Sequence, residues 1–180
     1  IPDVPMAAAG GIRCSLGDML TWIRMWLDPE RSSLVDGKPW LSKAQRDALW
    51  TAHMPMPLSR RMRDWDGSHF SAYGYGWRLT DVDGTAKVSH TGTLAGMYSA
   101  VVLLPEKKAG FVILINGDAD EARTVLTQVL VKQFTAPGGR HTVAGYADLL
   151  AKERTGDEAK PDPVAAARGR RARSALEIGA

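Results

Sequence analysis

The sequence predicts an α+β fold, an antiparallel sheet with flanking helices. Three observations point there. Apolar residues recur at helical spacing as far as Leu49 and give way to strand-like runs from Tyr75. The strand-like runs are joined by Asp83-Gly84 and by Pro105–Ala109, connections too short for a parallel crossover. A further helical stretch follows the last strand, from Asp118 to Phe134.

Taken in order, Ile1 to Gly11 is rich in Pro, Ala and Gly and reads as an extended or looping lead-in. Ser15-Leu16-Gly17-Asp18 has the form of a capping box. Leu16, Met19, Leu20, Ile23 and Leu27 follow on one helical stripe, widened by Trp22 and Trp26, and Pro29 ends the helix. The three tryptophans Trp22, Trp26 and Trp77 are expected in the core. A second capped helix starts at Ser42, with Gln45 as its capping partner and Ala48 and Leu49 on its inner face. His53 to Gly67 mixes Met, Pro and Arg without a period and reads as a long surface connection.

Tyr75 to Val82 and Thr85 to His90 form a hairpin about Asp83-Gly84. Thr91 to Gly96 then connects to Met97–Leu104, and Gly110–Asn116 is the next strand, with Asn116 in a turn. The unbroken runs Val101–Leu104 and Val112–Ile115 predict strands covered on both faces. The helix Asp118–Phe134 would lie across the sheet through Ala122, Val125, Leu126, Val129 and Leu130, with Asp118 and Asp120 as caps. Pro137-Gly138-Gly139 breaks the chain, Val143 to Glu153 is a short amphipathic helix, and Lys160 onward has a linker's composition. The expected division is 1–136 as one domain and 137–180 as a short helix and linker leading to a further domain.

A chain of 180 residues, 44% hydrophobic, can bury one core. A formal charge of +3 is mild, and Arg168, Arg170, Arg171 and Arg173 concentrate it in one short run that reads as a solvated tail. Without a basic face carrying aromatics, nucleic-acid binding is not expected. The single cysteine, Cys14, excludes an internal disulfide and reads as a packed, inert thiol. It has no spaced Cys or His partners, so neither a metal nor any other cofactor is expected. No stretch approaches the roughly 18 apolar residues of a membrane span.

Of four histidines, His53, His69 and His141 sit in polar connections, whereas His90 closes a strand and leads into Thr91-Gly92-Thr93. Glycines at 92 and 96 permit close backbone approach by a turn or a ligand. On its own the triplet serves structure as readily as chemistry. Its setting is more informative. Gly10-Gly11-Ile12 and the Trp-bearing helix come first, then Tyr73-Gly74-Tyr75-Gly76-Trp77, then His90-Thr91-Gly92-Thr93-Leu94-Ala95-Gly96-Met97. Leu103-Leu104-Pro105-Glu106 and Val112–Gly117 complete the series.

From Ala7 to Phe134 this ordered series resembles the C-terminal half of the serine β-lactamase-related family, which includes class C β-lactamases, D-alanyl-D-alanine carboxypeptidases, D-aminopeptidases and related esterases. In that family a nucleophile motif S-x-x-K, a base motif Y-x-N and a K-T-G or H-x-G strand converge. Only the third occurs here: no serine is followed three positions on by lysine, and no tyrosine two positions on by asparagine. Both missing motifs lie upstream in the family's order. The expectation is therefore the C-terminal part of a penicillin-binding-protein-like fold, whose missing N-terminal half is a partner of this chain.

The resemblance implies acyl transfer through a covalent serine ester on ester, amide, D-amino acid peptide or β-lactam bonds, with an extracytoplasmic location. It gives the backbone N–H of Thr93 an oxyanion-hole role and makes His90, Thr91 and Gly92 substrate-binding, His90 also catalytic. An imidazole in place of a fixed lysine cation tilts the expectation away from carboxylate-bearing substrates. The alternative is a non-catalytic binding or scaffolding module that keeps the cleft without the nucleophile.

Overall fold

The computed structural model describes residues 7–32, 34–35, 38–94, 96–139 and 141–158. Among these, two compact units divide between His141 and Thr142.

The first unit begins with one helical turn, α1 (Ala7–Gly10), where the sequence suggested an extended lead-in. The helix α2 (Leu16–Leu27) starts as predicted, with Ser15 and Asp18 in a reciprocal capping box. Pro29 stops it by opening a new turn, α3 (Pro29–Ser32), which suits proline at a first helical position. A small ladder joins β1 (Leu34–Val35) to β2 (Lys38–Pro39). The helix α4 (Lys43–Leu49) carries the predicted Ser42–Gln45 capping box. Leu49 is half-buried there, whereas Ala48 is exposed.

The segment read as a surface connection holds two elements. They are β3 (Met54–Pro55) and the helix α5 (Arg60–Asp66), capped by Ser59 and ended by Gly67 at φ 60°. That positive φ is where glycine costs least.

The sheet continues through β4 (Ser71–Tyr73), β5 (Arg78–Val82), β6 (Thr85–Leu94), β7 (Met97–Leu104) and β8 (Ala109–Asn116). Its order is β3-β4-β5-β6-β7-β8, antiparallel throughout. The β5–β6 turn is Asp83 at φ 49° and Gly84 at φ 75°, the left-handed pair that matches strand twist. The helix α6 (Asp120–Thr135) packs on β7 and β8.

Two cores lie on opposite faces of the sheet, because successive strand residues alternate sides. On one face Val88, Val101, Leu103 and Leu79 pack with Ile23 and the tryptophans of α2. Trp22, Trp26, Trp50 and Trp77 form one aromatic cluster, with ring centroids 4.8 Å apart for Trp26 and Trp77 and 5.5 Å for the stacked pair Trp22 and Trp77. Gly110 lets α2 approach β8. A Cβ there would stand 2.7 Å from Ile23 Cγ2 and 2.9 Å from Leu103 Cδ2. On the other face Val82 and Val102 meet Val131 of α6.

Beside that second core sits a buried polar network. Asp66, 3% exposed, accepts from Lys87 Nζ at 3.0 Å and from Gln128 Nε2 at 2.6 Å. Lys132 Nζ and Thr135 Oγ1 both reach Asp83, each at 2.7 Å. The buried stripe of α6 is therefore Val125, Gln128, Val131 and Lys132, not the all-apolar stripe expected. Leu126 is exposed while the face turned inward carries the Gln128 amide to the Asp66 carboxylate and the Lys132 ammonium to Asp83.

Val101 to Leu104 are covered on both faces as expected, with Ile23 and Trp26 of α2 packed on the side of Val101 and Leu103, and Val131 of α6 on the side of Val102. The run Val112–Ile115 is not. The strand β8 is a sheet edge and Leu114 is 50% exposed. Leu94, Met97 and Leu114 share one face at that end of the sheet and are all exposed, as are Leu16 and Leu20 of α2. Cys14 is exposed, not packed, because it precedes the cap of α2 outside its buried stripe. Asn116 ends β8 opposite Met97 and is not a turn residue.

The second unit holds α7 (Val143–Glu158), longer than the helix expected, with Thr142 Oγ1 accepting from Gly145 N at 3.1 Å. The linker-like stretch and its arginines lie outside the described residues.

Candidate active site

The sequence places His90 at the end of a strand with a six-residue connection behind it. The structure differs. The strand β6 runs on through His90-Thr91-Gly92-Thr93 to Leu94, and only Ala95 and Gly96 separate it from β7. Threonines favour the pleated backbone, and the φ of 74° at Gly96 permits the tight reversal. Asp118, expected to cap α6, instead accepts from the Gly96 amide at 3.2 Å, and the N-cap is Ala119, without a side-chain cap. Asp120 pairs with Arg123 one turn on.

The extension changes what β6 presents. Its pairing with β5 ends at Arg78 opposite Ser89, whereas its pairing with β7 continues to Leu94 opposite Met97. Among the described residues, no strand flanks His90–Leu94 on the β5 side. In an antiparallel ladder the backbone groups of alternate residues point to alternate sides. The closing pairs of the two hairpins, Val82 with Thr85 and Leu94 with Met97, set the same parity. His90 and Gly92 bond towards β7. The N–H and C=O of Thr91 and Thr93 face the open side.

The side chains divide by the same alternation. His90 lies on the tryptophan face, half-buried, with Nε2 at 2.9 Å from Tyr73 Oη and the two rings edge to face. Burial holds the imidazole below its ordinary range, and the nearby Arg78 charge adds to this. A hydrogen bond with the Thr91 backbone opposes both. Gly92 is on the same face, and a Cβ added there would overlap Ser99 Oγ across the ladder. Thr91 is exposed on the opposite face.

Thr93 is held from beneath. Arg123 Nη1 donates to the Gly92 carbonyl at 2.8 Å and to Thr93 Oγ1 at 3.0 Å, and reaches the Ser99 carbonyl at 3.5 Å. Its guanidinium also lies 4.9 Å above the centroid of Tyr98 and pairs with Asp120. This one side chain fixes the hairpin that carries the open edge.

Tyr73 and Arg123 were not singled out as site residues from the sequence. Tyr73 stood within a quoted motif, but its closeness to His90 depends on the register Tyr73–Arg78–Ser89 across two ladders. No local signal tells which face of α6 Arg123 occupies. Two other histidines have partners of their own. His53 lies tilted against Tyr75 with ring centroids 4.4 Å apart, and His69 Nδ1 bonds to Asp81 at 2.7 Å. Among the described residues, no group of three His, Cys, Asp or Glu side chains is arranged to hold a metal ion. No described helix is long and apolar enough to cross a membrane.

No curated protein matches the sequence. The family model described as Beta-lactamase matches residues 1–136. With that match over most of its length, on an α+β fold of the expected kind, the chain belongs to the Beta-lactamase family.

Proposed function

We propose that this chain supplies the inner strand of a serine acyl-hydrolase site, acting on ester, amide, D-amino acid peptide or β-lactam bonds through an acyl-serine intermediate. The observation that carries the proposal is the open stretch His90–Leu94 of β6, with the Thr91 and Thr93 backbone groups facing outward beside a half-buried imidazole. An open strand edge pairs with an extended acyl group by backbone hydrogen bonds. The Thr93 N–H is one oxyanion donor, an interaction worth ~3 kcal/mol of barrier. His90, Thr91 and Gly92 bind substrate next to it. Residues 1–136 form the hydrolase part and 137–180 connect it onward.

The nucleophilic serine and its base come from residues outside these 180, since no S-x-x-K or Y-x-N occurs among them. The test has two parts. The upstream coding sequence should carry S-x-x-K, and the protein containing it should be acylated on that serine by a fluorophosphonate probe. It should also turn over p-nitrophenyl esters, D-alanyl peptides or a chromogenic cephalosporin, whereas this chain alone should turn over none. An upstream sequence without the motif, or an intact protein neither labelled nor active, would overturn the proposal.

A further inference from the structure

The Gly92 carbonyl and the Thr93 amide are the two ends of one planar peptide group. In a trans peptide they point in opposite directions. The ladder turns the carbonyl towards β7 and the amide towards the open side. Arg123 acts on the carbonyl end. Its Nη1 donates to Gly92 O at 2.8 Å and to Thr93 Oγ1 at 3.0 Å, so it grips both the peptide and the side chain that follows. The guanidinium is itself held, 4.9 Å above the Tyr98 ring and paired through Nη2 with Asp120. Tyr98 is the ladder partner of Thr93, and α6 packs on β7 and β8, so helix and hairpin are tied as one piece.

We propose that Arg123 is a positioning residue for acyl transfer. It fixes the plane of the Gly92–Thr93 peptide and strengthens the Thr93 N–H towards the negative oxygen that forms on the substrate carbonyl. This deepens, and rests on, the acyl-hydrolase reading above. A cation at a carbonyl oxygen draws electron density through the peptide and makes its N–H a better donor. Asp120 offsets this only in part, because its side chain is 62% exposed and screened by water, against 12% for Arg123. Thr91 provides the contrast. Its amide also faces the open side, but among the described residues no charged donor reaches the His90 carbonyl at the far end of that peptide. The negative oxygen exists only in the transition state, so the effect belongs in kcat and not in KM.

Carbonyl and amide resonances of the 13C,15N-labelled full-length protein read the clamp without reference to activity. In wild type the Gly92 carbonyl carbon should stand downfield of glycine carbonyls in ordinary strand pairing. Arg123→Ala should move it upfield and weaken the hydrogen-bonding shift of the Thr93 amide, with the Thr91 amide unmoved. An ordinary Gly92 carbonyl in wild type would overturn the proposal outright, even if Arg123→Ala fails to fold. So would a folded Arg123→Ala protein in which Gly92 and Thr93 stay in place, or in which Thr91 moves as far as Thr93.

Catalysis is tested on the same protein with p-nitrophenyl esters, with active sites counted by the fluorophosphonate probe. Arg123→Ala should lower kcat per active site by about tenfold with KM within about twofold, less than the hundredfold or more for deleting an oxyanion donor. Arg123→Lys, which returns a cation without the planar fork, should recover part of that loss. A merely structural arginine would change the number of active sites and leave kcat per site untouched, and that result would overturn the proposal. So would a change confined to KM. Absence of turnover in wild type would overturn the hydrolase reading, with the resonances still deciding whether Arg123 clamps the peptide.

Discussion

Arg123 donates from Nη1 to the Gly92 carbonyl at 2.8 Å, so a residue in the first turn of α6 holds the backbone of the open strand. The same nitrogen reaches Thr93 Oγ1, which turns that hydroxyl towards the helix and leaves the backbone N–H of Thr93 as its outward group. The side chain is 12% exposed, so these bonds are largely shielded from water. Arg123→Ala should cost about 2–3 kcal/mol, the range for hydrogen bonds to a charged group. Arg123→Lys should recover little, because an ammonium cannot reproduce the planar fork. Denaturant midpoints measure the stability. Hydrogen exchange at Gly96 and Ser99 reports whether the β6–β7 hairpin loosens first. Equal loosening across the whole sheet would show that Arg123 has no special hold on the hairpin.

Gly92 is needed on account of one neighbour. An added Cβ would overlap Ser99 Oγ, and the next nearest atom is Ser99 Cβ at 3.8 Å. Gly92→Ala should therefore destabilise by ~1 kcal/mol, at the low end for overpacking, because a hydroxyl can rotate away. Adding Ser99→Ala should restore most of the loss. A double variant no more stable than the single one would mean that the backbone, and not Ser99, sets the limit.

Asp66 is the keystone of the network beneath α6. Removing its carboxylate leaves Lys87, with a side chain 11% exposed, as a nearly buried cation. Asp66→Ala should cost ~3–5 kcal/mol, as when one partner of a buried pair is deleted. Asp66→Ala combined with Lys87→Met should be markedly more stable than Asp66→Ala alone. Thermal melts of the set at one pH decide it.

Acid should destabilise the fold through His90 before it does so through Asp81. Its folded value lies below the ordinary 6.5, so the unfolded chain binds the proton more readily in the window just under 6.5. Where the unfolded state holds more protons, stability rises with pH. The contribution is complete above 6.5 and is lost as pH falls below it. At Asp81 burial works against the charged form, but hydrogen bonds from the His69 ring and from the His69 and Phe70 amides outweigh it. Its contribution is lost only below 3.8. His90→Gln should flatten the stability profile between about pH 6.5 and pH 5. A slope identical to wild type in that window would contradict the burial of His90.

Much of the fold was legible because its signals are local. The capping boxes at Ser15 and Ser42, the Asp83-Gly84 turn and the Met97–Leu104 strand are set by residues within a few positions of each other. The short elements between His53 and Gly67 were missed. The strand β3 is two residues long and exists through its pairing with Tyr73 and Ala72, which no window around it reveals. Of the candidate site, the histidine strand was visible as a motif, but its length was not. Thr91 to Leu94 look like a loop beside two glycines and become a strand because β7 offers a ladder. Tyr73 and Arg123 join the site through register and helix rotation, both properties of the assembled sheet.

The sheet's order repeats the order of its strands along the chain, without one crossover from β3 to β8. Each ladder therefore closes between nearest neighbours in sequence, and little loop entropy has to be spent before contacts form. The Asp83-Gly84 and Gly96 turns are natural starting points, since each is already shaped for its hairpin. Folding should spread outward from β5, β6 and β7, which lie inside the sheet, with the edge strands β3 and β8 the first to fray. The strand that bears the open edge would then be among the earliest parts of the molecule to form. Any segment that later completes the site would meet it as a finished template.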